Sequence, residues 1–366
     1  MTRLVLLGGG HAHVHLLDAL ARAPLPDTEV TLVSPYPRQL YSGMLPGWIA
    51  GHYALDELAI ALTPLAERAG IRWKPARATG LDLATRAVMC DDGERIAFDW
   101  LSIDTGPTTD HRRICGSVRH GVPVRPIEDF VTRVDTLIAA AGHGPARPAA
   151  LIGSGAAGFE LALALRARLP RTPLALIGAS AMPLEGFPAR LQRHARRLLD
   201  ARDIRWIGQR RATRIDADGV WLDNGQQVAA SDVLQVTGAA APAWPADAGL
   251  ATDAGGFIRV APTLQSVSHP FIFAAGDIAA YADPRPKSGV FAVRAGPPLA
   301  DNLRRAVNGE PLHAWQPQRR ALYLISTGDR RAMAAWGPLS AEGAWVWRWK
   351  DHIDRAFMAR FAAGTG

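Results

Sequence analysis

RLVLLGGGHAHVHLLDAL, residues 3–20, decides the architecture. An apolar strand runs into three glycines and then into an apolar helix, the opening of a βαβ unit that grips a dinucleotide. Glycine permits the tight turn and the close approach of backbone to pyrophosphate, and the helix N-terminus offers N–H groups to the anion. The third fingerprint position, glycine in the simple pattern, is His13. Gly8 and Gly10 carry the turn and the pyrophosphate contact, whereas the third position sets helix-to-strand packing, so His13 predicts a shifted helix and a working turn. His11 and His15 share a helical face and His13 points elsewhere, so the three do not converge and no metal site is expected.

The chain then repeats itself. PAALIGSG leads into Gly153-x-Gly155-x-x-Gly158 and the apolar helix FELALALRARL. Downstream of the first turn stand IRW (71–73), a hairpin signal at Asp92-Gly93, and DWLSIDTG ending at Thr105-Gly106. Downstream of the second stand IRW (204–206), Asn224-Gly225, and SDVLQVTG ending at Thr237-Gly238. One glycine turn is a weak signal, and two with the same sequel are a strong one. The expected fold class is α/β, with two Rossmann-like dinucleotide-binding domains and a small C-terminal α+β domain. Two such domains in one chain suit hydride transfer between two dinucleotides.

Composition bounds the rest. With 366 residues, 48% hydrophobic and 20% charged, the chain can bury two or three cores. It lacks a run of 18 apolar residues, and its first apolar stretch collides with glycines, so neither a spanning helix nor a signal peptide is expected and a cytoplasmic location is. The net charge of +7 comes from arginine, with lysine only at Lys74, Lys287 and Lys350, and no nucleic-acid-binding motif accompanies it. Cys90 and Cys115 form no C-x-x-C pair, which excludes a local redox dithiol or zinc site.

A third signal is HPFIFAAGDIAAY, residues 269–281, an apolar strand ending in Gly276-Asp277. With the two glycine turns it resembles the two-dinucleotide-binding flavoproteins of the pyridine nucleotide-disulfide oxidoreductase superfamily, over nearly the whole chain. GGGHAHV (8–14), YSGMLPGWIAGHY (41–53) and PKSGVFAVRAGP (286–297) are similar to type II NADH dehydrogenase-like proteins, in particular the flavoprotein module fused ahead of selenophosphate synthetase. In that subgroup the third glycine is replaced as here.

The resemblance implies FAD in the N-terminal unit. It would be held by Gly8, Gly9, Gly10, His11, Ala12, Ser34, Pro35, Arg38, Ser42, Ala78, Thr105, Gly106, Gly276, Asp277, Lys287, Ser288 and Gly289, with Asp277 on the ribityl chain. NADH or NADPH would sit on Gly153, Gly155, Gly158 and Gly238, with Glu160 beside the nicotinamide. Glu160 and Lys287 are the candidate catalytic residues; Lys287, at the start of a helix aimed at the flavin pyrimidine edge, would stabilise the reduced anion. Electrons would leave near Tyr41, Met44 and Pro46 to a quinone or another small acceptor, without a redox-active disulfide. The alternative is a weakly active or non-catalytic FAD-binding interaction module of selenium metabolism, with selenophosphate synthetase as partner.

Two departures stand out. Ser34-Pro35 occupies the place of the ribose-binding acid, a loss of about 1–2 kcal/mol of charge-assisted hydrogen bonding. Gly178-Ala179-Ser180 carries neither the acid that selects NADH nor an adjacent arginine that selects NADPH. The expected domains are FAD-binding 1–110 with 245–312, NAD(P)-binding 111–244, and C-terminal 313–366. The last holds Trp336, Trp345, Trp347 and Trp349 and a stripe of Ile353, Phe357 and Phe361. It reads as a small packing unit or dimer contact, while the resemblance implies peripheral contact with the inner membrane face. Gly364-Thr365-Gly366 reads as a linker.

Overall fold

The computed structural model describes residues 1–141 and 145–362; the glycine-rich terminal tripeptide lies outside them. Residues 3–20 form the strand Thr2–Leu7 and the helix His11–Arg22. Leu4 to Leu7 are all buried, the continuous apolar run of a strand covered on both faces.

Five parallel strands make the first sheet, in the order Ile272–Ala274, Trp100–Ile103, Thr2–Leu7, Thr28–Val33, Arg72–Lys74. The second sheet is built alike, in the order Gly121–Pro123, Asp232–Gln235, Ala149–Ile152, Leu174–Ile177, Ile204–Ile207. Four positions match one for one. The outer position is filled by a late strand in the first sheet and by an early strand in the second, so the chain leaves the first sheet, completes the second and returns. In each sheet the strand order reverses beside the strand that precedes the glycine turn, the place where α/β sheets bind ligands. The duplication extends to two three-stranded antiparallel sheets, 78–97 and 212–229, whose hairpins turn at Gly93 and Gly225, both at positive φ.

The helix His11–Arg22 is enclosed on nearly all sides, which its three histidines do not announce. It packs on the helix Gly289–Asn308 through Gly296, where a Cβ would lie only 2.6 Å from the Cβ of His15. A sheet of Tyr323–Ser326, Ala332–Trp336 and Leu339–Gly343, with the helix Ala344–Phe361, forms the C-terminal unit. The expected stripe of Ile353, Phe357 and Phe361 is corrected here. Ile353 is exposed, and the buried face runs through Val346, Lys350, Asp354 and Phe361. Two charged residues line it because they neutralise each other, Lys350 Nζ lying 2.5 Å from Asp354 Oδ2.

Overpacking at a helix crossing costs about 1–3 kcal/mol. Gly296→Ala is therefore expected to lower unfolding stability by that amount, read as a fall in the denaturant midpoint with an unchanged slope; an unaltered midpoint would show that the crossing has slack.

Candidate active site

A cleft of about 400 Å³ opens at the C-terminal ends of the first sheet's strands. It is lined by Gly8, Gly9, Gly10, His11, Thr105 and Gly106, by Ser34, Pro35, Arg38 and Ala78, by Asp277, and by the neighbouring Ser42 and Gly289. Gly8 stands at φ +93°, and a Cβ there would lie 2.5 Å from the Asp104 carbonyl oxygen. The floor is thus bare backbone shaped for an elongated polar ligand, which fits a dinucleotide.

His13 is buried between the helix and the sheet. Its Nδ1 lies 2.6 Å from the Gly8 carbonyl oxygen, which fixes that nitrogen as the donor, and its Nε2 lies 2.8 Å from Ser102 Oγ and accepts the hydroxyl proton. The imidazole is a strut from the glycine turn to the neighbouring strand. Burial holds it neutral, with its pKa pushed down to about 4. Beside it, Asp104 Oδ2 accepts the N–H groups of Ala12 at 2.8 Å and His13 at 3.0 Å. Burial pushes that carboxyl up to about 7 against the pull of these two bonds.

Three contacts close the cleft from residues that follow the second sheet's outer strand, Gly121–Pro123. Arg38 and Glu128 form a bidentate pair, with both bonds at 2.9 Å. Tyr36 donates to Asp129 at 3.4 Å, and Arg125 lies 3.5 Å from Asp277. Burial raises the Asp277 carboxyl, and Arg125 and Lys287 pull it back. Ser34 is buried, and its hydroxyl donates to the Tyr36 carbonyl, within its own turn.

Other predicted residues lie outside this cleft. Ala12 is buried beneath it, and Gly276, at φ +69°, abuts the Asp104 side chain. Ser288 stands at the N-cap position of the helix Gly289–Asn308, its hydroxyl buried and making no capping hydrogen bond. The Lys287 ammonium donates to the Ala279 carbonyl at 2.5 Å and rests 4.1 Å from the centre of the Phe257 ring. In the second unit Gly153 stands at φ +115° under the Val236 carbonyl, a Cβ on Gly158 would strike the Gly153 carbonyl oxygen at 1.8 Å, and Gly155 and Gly238 have open space around them. Glu160, on the helix Ala156–Arg168, accepts the Ser326 N–H at 2.7 Å. Burial pushes its carboxyl up to about 7, moderated by Lys350.

Met44 and Pro46 are buried in the core under the C-terminal helix, and of residues 41–46 only Ser42 reaches the cleft. Tyr41 donates to Asp354 at 3.1 Å, and its ring packs on Phe357 at 4.6 Å and edge-on to His11 at 5.7 Å. The described residues contain no group of three or more His, Cys, Asp or Glu side chains arranged for a metal ion. Both cysteines are free, Cys90 buried and Cys115 exposed.

Sequence reasoning missed Ser102, Asp104, Arg125 and Glu128. For Asp104 a signal was present: a carboxylate at the end of an apolar strand, where the second copy has Val236. Arg125 and Glu128 reach the cleft through tertiary packing alone. In the second unit, the Arg210 backbone N–H donates to the Gly178 carbonyl at 3.2 Å, which sets a cationic residue beside the turn that carries none in sequence.

Two parallel dinucleotide folds meeting over one crevice define, by architecture, a reductase of the two-dinucleotide flavoprotein class. The chain belongs to the pyridine nucleotide-disulphide oxidoreductase family, whose profile matches residues 2–296, and it is an FAD-dependent NAD(P)H oxidoreductase. It is 23% identical over 340 residues to the NADH dehydrogenase-like protein YutJ of Bacillus subtilis, covering 91% of each chain. It is 24% identical over 357 residues to the alternative NAD(P)H-ubiquinone oxidoreductase C1 of Arabidopsis thaliana, covering 85% of this chain and 68% of the relative. Among solved structures, the sulfide:quinone oxidoreductase of Aquifex aeolicus superposes with a TM-score of 0.80 at 20% identity, covering 99% of this chain and 91% of that one.

Burial holds His11, His13 and His15 each near 4, whereas unfolded imidazoles titrate near 6.5. Their stabilisation is whole above about pH 6.5 and is lost as pH falls toward 4. Asp104 and Glu160 act in the opposite sense, since their raised carboxyls favour the fold at low pH and lose that contribution as pH rises toward 7. Three protons against two leave one, so these groups lower stability by about 1.4 kcal/mol per pH unit on acidification between about 6.5 and 4.5. His15→Phe, which keeps a ring against Phe357 and Phe361, is expected to flatten that slope in denaturant melts; an unchanged slope would rule His15 out as a source.

Proposed function

We propose that this chain oxidises NAD(P)H and delivers the electrons to a quinone at a membrane surface, with no thiol relay. The observation that carries this reading is the shared crevice: residues 125–129, from the second dinucleotide-binding unit, close over the cleft formed by the first glycine turn. FAD, when bound, supplies the two-electron chemistry that joins a hydride donor to an acceptor. Gly8, Gly9, Gly10 and the helix behind them would hold its pyrophosphate, Thr105, Gly106, Asp277 and Gly289 its flavin part, and Arg38 and Glu128 its adenosine part. The second glycine turn holds the coenzyme, with Gly155 left open for close approach.

Burial raises the Glu160 carboxyl to about 7, at the junction of the coenzyme fold and the C-terminal unit. From there Lys350, Asp354 and Tyr41 form a buried polar line that ends beside His11 at the cleft. Two free cysteines, one of them buried, favour direct electron delivery over disulfide exchange. Trp336, Leu339, Trp345, Trp349 and Ile353 stand exposed on the C-terminal unit, and such aromatic surface suits the headgroup level of a bilayer. No described helix is long and apolar enough to cross a membrane. The likeness of residues 8–14, 41–53 and 286–297 to a module fused to selenophosphate synthetase makes selenium and sulfur compounds the acceptors to assay beside quinones.

Anaerobic addition of NADH or NADPH is expected to bleach the flavin band, and a short-chain quinone to restore it. A flavin that stays oxidised with both coenzymes would overturn the dehydrogenase reading. Co-sedimentation with anionic vesicles is expected for the wild type and reduced in Trp345→Ala with Trp349→Ala; equal sedimentation would remove this surface from the proposal.

A further inference from the structure

The two copies of the dinucleotide fold differ at three matched positions. His13, Ser102 and Asp104 of the first correspond to Gly158, Leu234 and Val236 of the second. Strand pairing fixes the match, because Leu7 pairs with Ile103 as Ile152 pairs with Gln235, each pair immediately preceding the residues compared. A Cβ on Gly8 would strike the Asp104 carbonyl, and one on Gly153 the Val236 carbonyl, so the turns sit alike. Only the first places a carboxyl under its helix. That carboxyl already occupies the Ala12 and His13 N–H groups, part of the donor set that a βαβ turn offers to a pyrophosphate.

The site is shaped around this side chain. A Cβ on Gly10 or on Gly276 would lie 2.4 Å from Asp104 Oδ1. The groups facing it do not neutralise it. Asp277 repels it, the nearby cations Arg125 and Lys287 serve Asp277, and the Tyr281 hydroxyl is buried without a hydrogen-bond partner. From its own helix side come His13, neutral and committed to Gly8 and Ser102, and His11, also neutral. A dinucleotide pyrophosphate would bring further negative charge to the same pocket.

We propose that Asp104 couples flavin binding to a proton: FAD binds the chain with Asp104 neutral, so that binding takes up a proton from solvent wherever the free chain carries Asp104 ionised. The inference rests on FAD occupying the first unit. A neutral carboxyl keeps its carbonyl oxygen on the two helix N–H groups and replaces a repelling charge with an O–H donor. Burial has already brought this carboxyl near neutrality before any ligand arrives. Affinity is then flat below about pH 7 and weakens toward tenfold per pH unit above it. His13 does not enter this range, because it titrates far below it.

The test is FAD titration of the flavin-depleted full-length chain from about pH 6 to about pH 9, read by flavin fluorescence. Calorimetry in two buffers of different ionisation enthalpy counts the proton. The wild type is expected to lose affinity as pH rises above about 7, and to take up close to one proton on binding near pH 9 and almost none near pH 6. Asp104→Asn, which keeps an oxygen for the two N–H groups, and Asp104→Val, which copies the second unit, are expected to bind with pH-independent affinity; Asp277→Asn is expected to keep the wild-type slope. A flat wild-type profile, a slope that survives in Asp104→Asn, or a slope lost in Asp277→Asn alone would overturn the inference. A chain that takes up no FAD at any pH would overturn the FAD reading as well, and is distinguished from those results by the absence of binding.

Discussion

The first dinucleotide seat depends on how closely the helix His11–Arg22 can approach the strand behind it. In the second unit glycine solves this by absence, with Gly158 lying almost against the Gly153 carbonyl. In the first the same gap is filled by an imidazole that bonds at both ends, to Gly8 and to Ser102. Hydrogen bonds at both nitrogens offset the cost of burying this polar ring, and here the turn and the adjacent strand each supply one partner. The side chain that departs from the fingerprint therefore fastens the glycine turn to the sheet, and Asp104 secures the same helix from the next position along the strand.

The remaining histidines obey a different constraint. Neither ring nitrogen of His15, nor Nε2 of His11, has a hydrogen-bond partner, and both rings lie among the aromatic side chains of residues 41 and 357–361. They function as flat, neutral packing surfaces, and the C-terminal helix is what excludes water from them. That helix is also tied to residues 41–57 by Lys350, Asp351, Asp354 and Arg355. The C-terminal unit thus completes the wall behind the cleft.

The two nucleotide folds, their order and their hairpins were legible because each depends on local chemistry that leaves a mark: glycines at positive φ, apolar strands, Asp-Gly and Asn-Gly turns. The floor of the cleft was legible for the same reason. Glu128 and Arg125 left no mark, since an acid in a helix's first turn and an arginine before proline are common, and only the packing of one half on the other brings them to Arg38 and Asp277. The C-terminal stripe was misread because a hydrophobicity pattern cannot register a buried Lys350–Asp354 pair, which counts as two polar residues until the partners are seen together. Asp104 lay between these cases, visible only when the two copies are set side by side.

Closure of the cleft follows from the strength of its contacts. Arg38 is 37% and Glu128 16% exposed, so the solvent-screened pair contributes about 1 kcal/mol or less beyond what water would give each partner. Arg125 and Asp277, at 3.5 Å, are no closer than a weak ion pair. Such contacts add little to holding one half on the other; away from the cleft, Met44, Leu45 and Ile49 share a buried apolar core with the helix Ala156–Arg168. A ligand entering the cleft meets polar groups that can exchange partners at small cost, whereas the glycine floor, fixed by His13 and Asp104, cannot move. The rigid side of the site is the one that must bind, and the adjustable side is the one that must let a dinucleotide in.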